Sequence, residues 1–467
     1  MMTKQVKTIW FILIATALIR LITLALYPLM DTTEARYGEM ARIMVETGNW
    51  LTPQFDYGVP FWGKPPLFTW MSSLGIEVFG LNEFAVRFPH WLAGVAVILV
   101  VARFANKHNV NALIASLVIA TSAVFSISAG AVMTDMALTL SMAIAMIGFY
   151  QCWHGSTKAG LLGFFGIALG LLAKGPLIIV LIGLSLVPWI ILNYGVKNGI
   201  ALFIKRVPIL KGIVIISVIA LPWYLMAENA TPGFLNYFIV GEHFQRFMVS
   251  GWEGDLYGKA HNEVKGMIWL FWIYAAAPWS IILPILAWRS RKEKQDTIKR
   301  NSDLKSYLFF WMISPMILFT LSGNILPAYV LPGIPALGLL VSLLTFKKFI
   351  KWVSISASLI PILLIAALIF IQFGKTEQKS DKDMMKHVNL NNPIYYLNKK
   401  SFSGQFYSQG KVKVFNKINE EVLKEMPIQL IATDKEIAQF KEDKNISCNL
   451  VFSSKNKRSL YHCRTAS

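Results

Sequence analysis

Runs of about twenty apolar residues recur along the chain, separated by short polar breaks. A helix rising 1.5 Å per residue needs about twenty such residues to cross a hydrocarbon core about 30 Å thick. Backbone amides find no water in that core, so the helix is the economical spanning element. The pattern predicts about eleven spans, near residues 9–29, 86–104, 110–128, 132–151, 160–173, 175–193, 208–226, 267–288, 306–322, 327–345 and 352–373. Residues 30–85 and 227–266 are long polar interruptions, and 66–79 is apolar but short, which predicts a surface or re-entrant helix. From about residue 374 the chain turns rich in Lys, Asn, Ser and Glu. There 393–398, 404–408, 411–416, 427–433 and 448–453 read as short strands, and 418–425 and 434–442 as helices. The expected fold is an all-α polytopic membrane domain over 1–373, with outer-face amphipathic helices, followed by a small α/β domain over 374–467.

The stretch Asp31–Pro66 holds groups that a bilayer core rejects, among them Asp31, Glu34, Arg36, Arg42 and Lys64. Tyr37, Met40, Ala41, Met44 and Val45 make one apolar helix face, and Gly48 follows as a C-terminal stop. Trp50, Phe55, Tyr57, Phe61 and Trp62 suit a headgroup-level belt. A short helix on the membrane surface is expected, then a loop that carries Lys64 back to the bilayer.

Composition agrees with this frame: 55% of the 467 residues are hydrophobic, and the mean hydropathy is +0.51. A net charge of +19 could suit nucleic acid, but Lys and Arg fall in short loops between spans, such as 289–305. That placement follows the positive-inside rule and sets the N-terminus in the cytoplasm. The first run contains Arg20 and has no small-x-small cleavage site before Pro28, which favours a retained span over a cleaved signal peptide. Three cysteines make no disulfide framework, although Cys448 and Cys463 could pair in an oxidising compartment.

Candidate chemistry gathers on the outer side. Asp31 and Glu34 have the spacing of a capping box, or supply a carboxylate that deprotonates an acceptor. Asp135 lies near the outer end of the fourth span, and a charge at membrane depth is a functional-site hypothesis. Lys64, Lys174 and Arg246 suit phosphate. His243 beside Glu242 is a weak metal signal. The tail has neither a nucleotide-binding glycine pattern nor metal-ligand spacing, and no chemistry is expected there.

The motifs E-A-R-Y-x-E-M-A-R-x-M (Glu34 to Met44), G-N-W (Gly48 to Trp50), K-P-P-L (Lys64 to Leu67) and N-E-F-A-V-R (Asn82 to Arg87) occur in that order. M-T-D-M (Met133 to Met136), A-K-G (Ala173 to Gly175), E-H-F-Q-R-F (Glu242 to Phe247) and L-P-A-Y-V-L-P (Leu326 to Pro332) continue the series. Over roughly residues 20–345 the chain resembles the ArnT-like glycosyltransferases of the GT-C class, relatives of the protein O-mannosyltransferases. The resemblance implies transfer of a sugar from a polyprenyl phosphate to an envelope glycolipid such as lipid A, at the outer face of the bacterial inner membrane. It implies an inverting displacement, with no nucleotide-sugar site. By resemblance, Asp31 or Glu34 and Asp135 are catalytic, and Arg36, Tyr37, Lys64, Lys174, Glu242, His243, Arg246 and Tyr329 bind substrate.

The chain departs from the family pattern at three places. Thr33 replaces the Asp of an adjacent Asp-Glu pair, Gly63 replaces a Glu before Lys-Pro, and Gly323, Asn324 and Ile325 replace basic residues before Leu-Pro-x-Tyr. The second change speaks against a metal site shared with His243, so no cofactor is required and a divalent metal stays open. Transfer to protein or another surface glycan is the nearest alternative, and a lipid or solute transporter the alternative from another class. The lack of an inverted repeat, and polar groups gathered on one face instead of at the midplane, favour the enzyme.

Overall fold

The computed structural model describes residues 4–249, 251–258, 261–292, 302–373, 379–416, 420–442, 446–454 and 458–465. All eleven expected segments are helical in whole or part. Among the described residues, eight helices are long and apolar enough to cross a membrane: Lys4–Thr23, Glu83–Lys107, Thr134–Trp153, Thr157–Lys174, Leu177–Tyr194, Ile209–Ala230, Pro327–Leu344 and Ile350–Phe373. Met267–Ala275 and Trp279–Ser290, bent by 89° at their junction, make a ninth span if taken together. Two expected spans fall short for visible reasons. Segment 110–128 is split into Ala112–Ala120 and Ala123–Ser128. Helix Ser302–Phe319 carries Asp303 and Lys305 in its first turn.

The two broken helices repair each other. Ala123 N donates to the carbonyl of Ala277 at 3.0 Å, and the Trp279 indole donates to the carbonyl of Thr121 at 3.1 Å. Backbone groups freed by a break in a bilayer need such partners.

Hydropathy sorts centre from rim. Thr134–Trp153 is 83% buried with a hydropathy of 1.4, whereas Ile350–Phe373 is 22% buried with a hydropathy of 2.6. Lipid-facing helices must be apolar all round, while interior ones can use small and polar residues to approach closely. The central helix packs tightly on Thr157–Lys174: a side chain at Gly166 would meet the Ser141 carbonyl at 2.7 Å.

The expected outer helix forms as Thr33–Thr47 and stops at Gly48, whose φ of +67° suits glycine. It is more deeply buried than a surface helix, because the tail covers it: a Cβ at Gly38 would meet Leu29 at 2.7 Å and the Phe406 ring at 3.7 Å. The short helix is Leu67–Phe79.

The tail is a five-stranded mixed sheet. In spatial order its strands are Val412–Phe415, Ile394–Leu397, Ile428–Thr433, Arg458–Thr465 and Ile446–Ser453; the first three are parallel and the last two join antiparallel. Cys448 and Cys463 face each other across the last pair and are joined by a disulfide. Residues 404–408, expected as a strand, belong instead to the helix Phe402–Tyr407. Ser401 caps it by accepting from Gly404 N, and Phe402 and Phe406, four apart, share a face. Strand Arg458–Thr465 was not expected. Helices Glu420–Lys424 and Asp434–Glu442 match expectation, although residues 418 and 419 of the first lie outside the described residues.

Candidate active site

Asp31 and Glu34 begin the outer helix without forming a capping box; the N-cap is Thr32 and makes no side-chain cap bond. The Asp31 carboxylate accepts from the Ser403 amide at 3.1 Å and from the Ser403 hydroxyl. Glu34 accepts two bonds from Arg87, at 2.8 and 2.7 Å, and Arg87 also donates to the carbonyls of Leu24, Tyr27 and Pro28. Burial pushes the Asp31 carboxyl above its ordinary value, against the Ser403 bonds. Burial works the same way on Glu34, but Arg87 outweighs it and holds that carboxyl below its ordinary value. Neither side chain lines the cavity described next. Here Asp31 pins the tail, and Glu34 pins the outer helix to the span that follows.

A cavity of about 1010 Å³ opens between the outer helix ends, the 227–266 segment and the tail. At its floor Asp135 and Lys174 form a buried ion pair at 2.6 Å. Asp135 is in the first turn of Thr134–Trp153 and Lys174 ends Thr157–Lys174, so each charge opposes the partial charge of its own helix end. The Lys174 ammonium also lies 4.2 Å from the centre of the Tyr329 ring, a cation–π contact. Gly175 then turns the chain at φ +76°, and a Cβ there would meet Phe238 at 2.5 Å.

Phe238 belongs to a nine-residue π-helix, Tyr237–Gln245, inside the segment expected as loop. Its wider turn carries Glu242 and His243, and π-turns are frequent at functional sites. Glu242 accepts from Lys64 at 2.7 Å and from Arg246 at 2.7 Å, and Arg246 reaches Asp255 at 3.3 Å. Burial would raise the Glu242 carboxyl, but Lys64 and Arg246 bring it below its ordinary value. Both His243 ring nitrogens face backbone carbonyls, of Phe238 at 2.8 Å and Lys174 at 3.1 Å. Gly63 adds no ligand, and a side chain there would meet the Phe61 ring at 2.8 Å. These residues do not fit a metal, and among the described residues no three His, Cys, Asp or Glu side chains converge on one.

The cavity wall is aromatic. Phe402, Phe55, Tyr257, Phe61 and Tyr37 follow one another, with successive ring centres 5.2, 5.1, 4.6 and 6.1 Å apart. Arg36 lies on this wall, 5.0 Å from the Tyr37 ring centre, and donates to the Tyr257 carbonyl at 2.6 Å. Its Nε is buried without a partner, and no carboxylate pairs with it among the described residues.

The cavity thus gathers Asp135, Arg36, Tyr37, Lys64, Lys174, Glu242, His243, Arg246 and Tyr329, and leaves out Asp31 and Glu34. It adds residues the sequence did not single out for chemistry: Tyr257, Asp56 and, from the tail, Lys399 and Lys400. The one available signal for the tail was the Lys399–Lys400 pair directly after a strand.

Residues 7–238 match the dolichyl-phosphate-mannose-protein mannosyltransferase family. The undecaprenyl phosphate-alpha-4-amino-4-deoxy-L-arabinose arabinosyl transferase of Serratia proteamaculans is 30% identical over 359 residues, 73% of this chain and 60% of that protein. The enzyme of the same name from an Enterobacter species is 30% identical over 71% of this chain and 58% of its own length. The chain therefore spans about 60% of the length of these relatives. ArnT from Cupriavidus metallidurans, solved bound to undecaprenyl phosphate, superposes with a TM-score of 0.77 over 97% of this chain and 98% of that one, at 19% identity. Its apo structure gives a TM-score of 0.74. This multi-pass membrane protein is thus similar in sequence to the protein mannosyltransferases over residues 7–238 and to the arabinosyl transferases over about 70% of its length, and it shares the fold of ArnT.

Proposed function

We propose that the chain transfers a sugar from a polyprenyl-phosphate donor to an envelope glycolipid, lipid A foremost, at the outer face of the inner membrane. The carrying observation is the cavity's charge. Its four lining carboxylates, Asp56, Asp135, Glu242 and Asp255, each pair with a cation, and Arg36, half-buried with a buried Nε, has no carboxylate partner among the described residues. A cavity with cation to spare suits an anionic ligand, and the ring wall suits the face of a sugar.

In this reading Arg36, Lys64 and Arg246 hold the donor phosphate, with the Tyr329 hydroxyl and His243 beside them. An acceptor oxygen attacks the anomeric carbon from the side opposite the phosphate. The bond from carbon to phosphate oxygen breaks, its electron pair leaves on the phosphate, and the configuration inverts. Cations already fixed around the leaving phosphate favour the transition state, where the new negative charge appears. Asp135 orients the acceptor and receives its proton when the acceptor is a neutral hydroxyl; Lys174 fixes the carboxylate. Undecaprenyl phosphate, the ligand of the Cupriavidus protein, is the natural probe. The purified chain should bind it, and Arg36→Ala and Lys64→Ala should each weaken binding about tenfold. Unchanged binding in both variants refutes the phosphate assignment. The match of residues 7–238 to protein mannosyltransferases supports a second reading, in which protein or another surface glycan is the acceptor.

A further inference from the structure

Two separate sets of cations line the one cavity. The first is Lys64 and Arg246 around Glu242, which with Arg36 are assigned to the donor phosphate, with the Lys174–Asp135 pair beside them. The second comes from the tail. Strand Ile394–Leu397 ends in Asn398, whose φ of +65° turns the chain in the left-handed region that Asn tolerates. The turn is held at both ends: Asn398 N donates to the Phe415 carbonyl at 2.9 Å, and its side chain donates to Glu436 at 3.0 Å. Lys400 then pairs with Asp56 of the first outer loop at 2.7 Å, and Gln405 donates to the same carboxylate at 3.2 Å. Lys399, between these fixed points, lines the cavity, and makes no ion pair or side-chain hydrogen bond among the described residues. No charged pair among the described residues joins the two sets; the ring series from Phe402 to Tyr37 runs between them.

We infer that the tail turn Asn398–Lys400 is the acceptor's anion site, with Lys399 as the cation that binds a phosphate-bearing glycolipid headgroup. This deepens the transferase reading and rests on it. A transferase must hold two substrates at once, and one cation set serves only one anion. The tail is otherwise fixed to the membrane domain through Asp31–Ser403, Tyr407–Glu83 and Lys382–Glu83, so its turn is a wall of the cavity and not a loose cover. A lysine whose backbone is held and whose ammonium has no counter-charge among the described residues is available to an incoming anion. Lys399 is exposed, so changing it leaves the fold in place.

The test uses the full chain in nanodiscs with two probes, undecaprenyl phosphate and bis-phosphorylated lipid A. Lys399→Glu should bind undecaprenyl phosphate as the unaltered chain does, and should bind lipid A about tenfold more weakly. Lys399→Arg should keep both affinities. Equal lipid A binding by Lys399→Glu and the unaltered chain, or none by either, overturns the site while donor binding stands. A parallel loss of both probes also overturns it, because the lysine would then not be selective for the acceptor. If the unaltered chain binds no undecaprenyl phosphate, the transferase reading itself fails.

Discussion

Asp135 and Lys174 illustrate how single residues gain meaning from their surroundings. Each is flanked by apolar residues, and a charge in such a setting is legible from sequence alone. Their pairing, 39 positions apart, is not. Removing one member of a buried pair leaves the other charge uncompensated, a loss of about 3–5 kcal/mol. Asp135→Asn should therefore lower the melting temperature and cut transfer at least about 100-fold. Adding Lys174→Met should restore much of the stability and none of the activity, as thermal melts and a transfer assay on the same preparations would reveal. Recovery of activity in the double variant would make the pair structural only. The contacts of Asp31 and Glu34 were hidden for a related reason. Their spacing fits a local cap, but their partners lie 372 and 53 positions away, beyond any local pattern.

His243 carries a pH prediction. Burial lowers its pKa and outweighs the carbonyls of Phe238 and Lys174, which favour a second proton. An unfolded chain takes up that proton near pH 6.5, and the folded one only at lower pH. The contribution to stability is thus fully present above about pH 6.5 and declines as the pH falls toward the folded value. His243→Gln should flatten the fall in melting temperature between about pH 6.5 and 5. An unaltered slope would show that other groups govern it.

Among elements, the spans were legible because their signal is composition over about twenty residues. The π-helix Tyr237–Gln245 was not, since its polar and apolar residues fit no common period and its wide turn packs Phe238 and His243 against the distant Gly175. The helix Phe402–Tyr407 was read as a strand because six residues hold too little pattern to separate the two periods. That helix decides how the tail sits. Ser403→Ala would leave the half-buried Asp31 carboxylate short of a donor, a loss of about 1–3 kcal/mol. Amides in 33–47 and 402–407 should then exchange hydrogen faster than in the unaltered chain, while those of Thr134–Trp153 stay protected. Uniform exchange across all three regions would argue that the tail does not depend on this clamp.

For the whole molecule, the gradient from a buried central helix to apolar peripheral ones is what a bilayer solvent imposes, and mean hydropathy already announced it. The arrangement of the tail over the outer helix was hidden, because it depends on contacts across most of the chain. The proposed orientation puts the N-terminus in the cytoplasm, and the cavity and tail outside. A reporter fused after Phe373 should then be active only on the outer side, and a cytoplasmic signal would invert the topology.

The measurement that bears most directly on the proposed reaction is mass spectrometry of lipid A from cells with the chain, without it, and with Asp135→Asn. The account predicts a sugar-sized mass increase on lipid A that requires the chain and disappears with Asp135→Asn. Identical lipid A in all three, or a modification that survives the substitution, would contradict it.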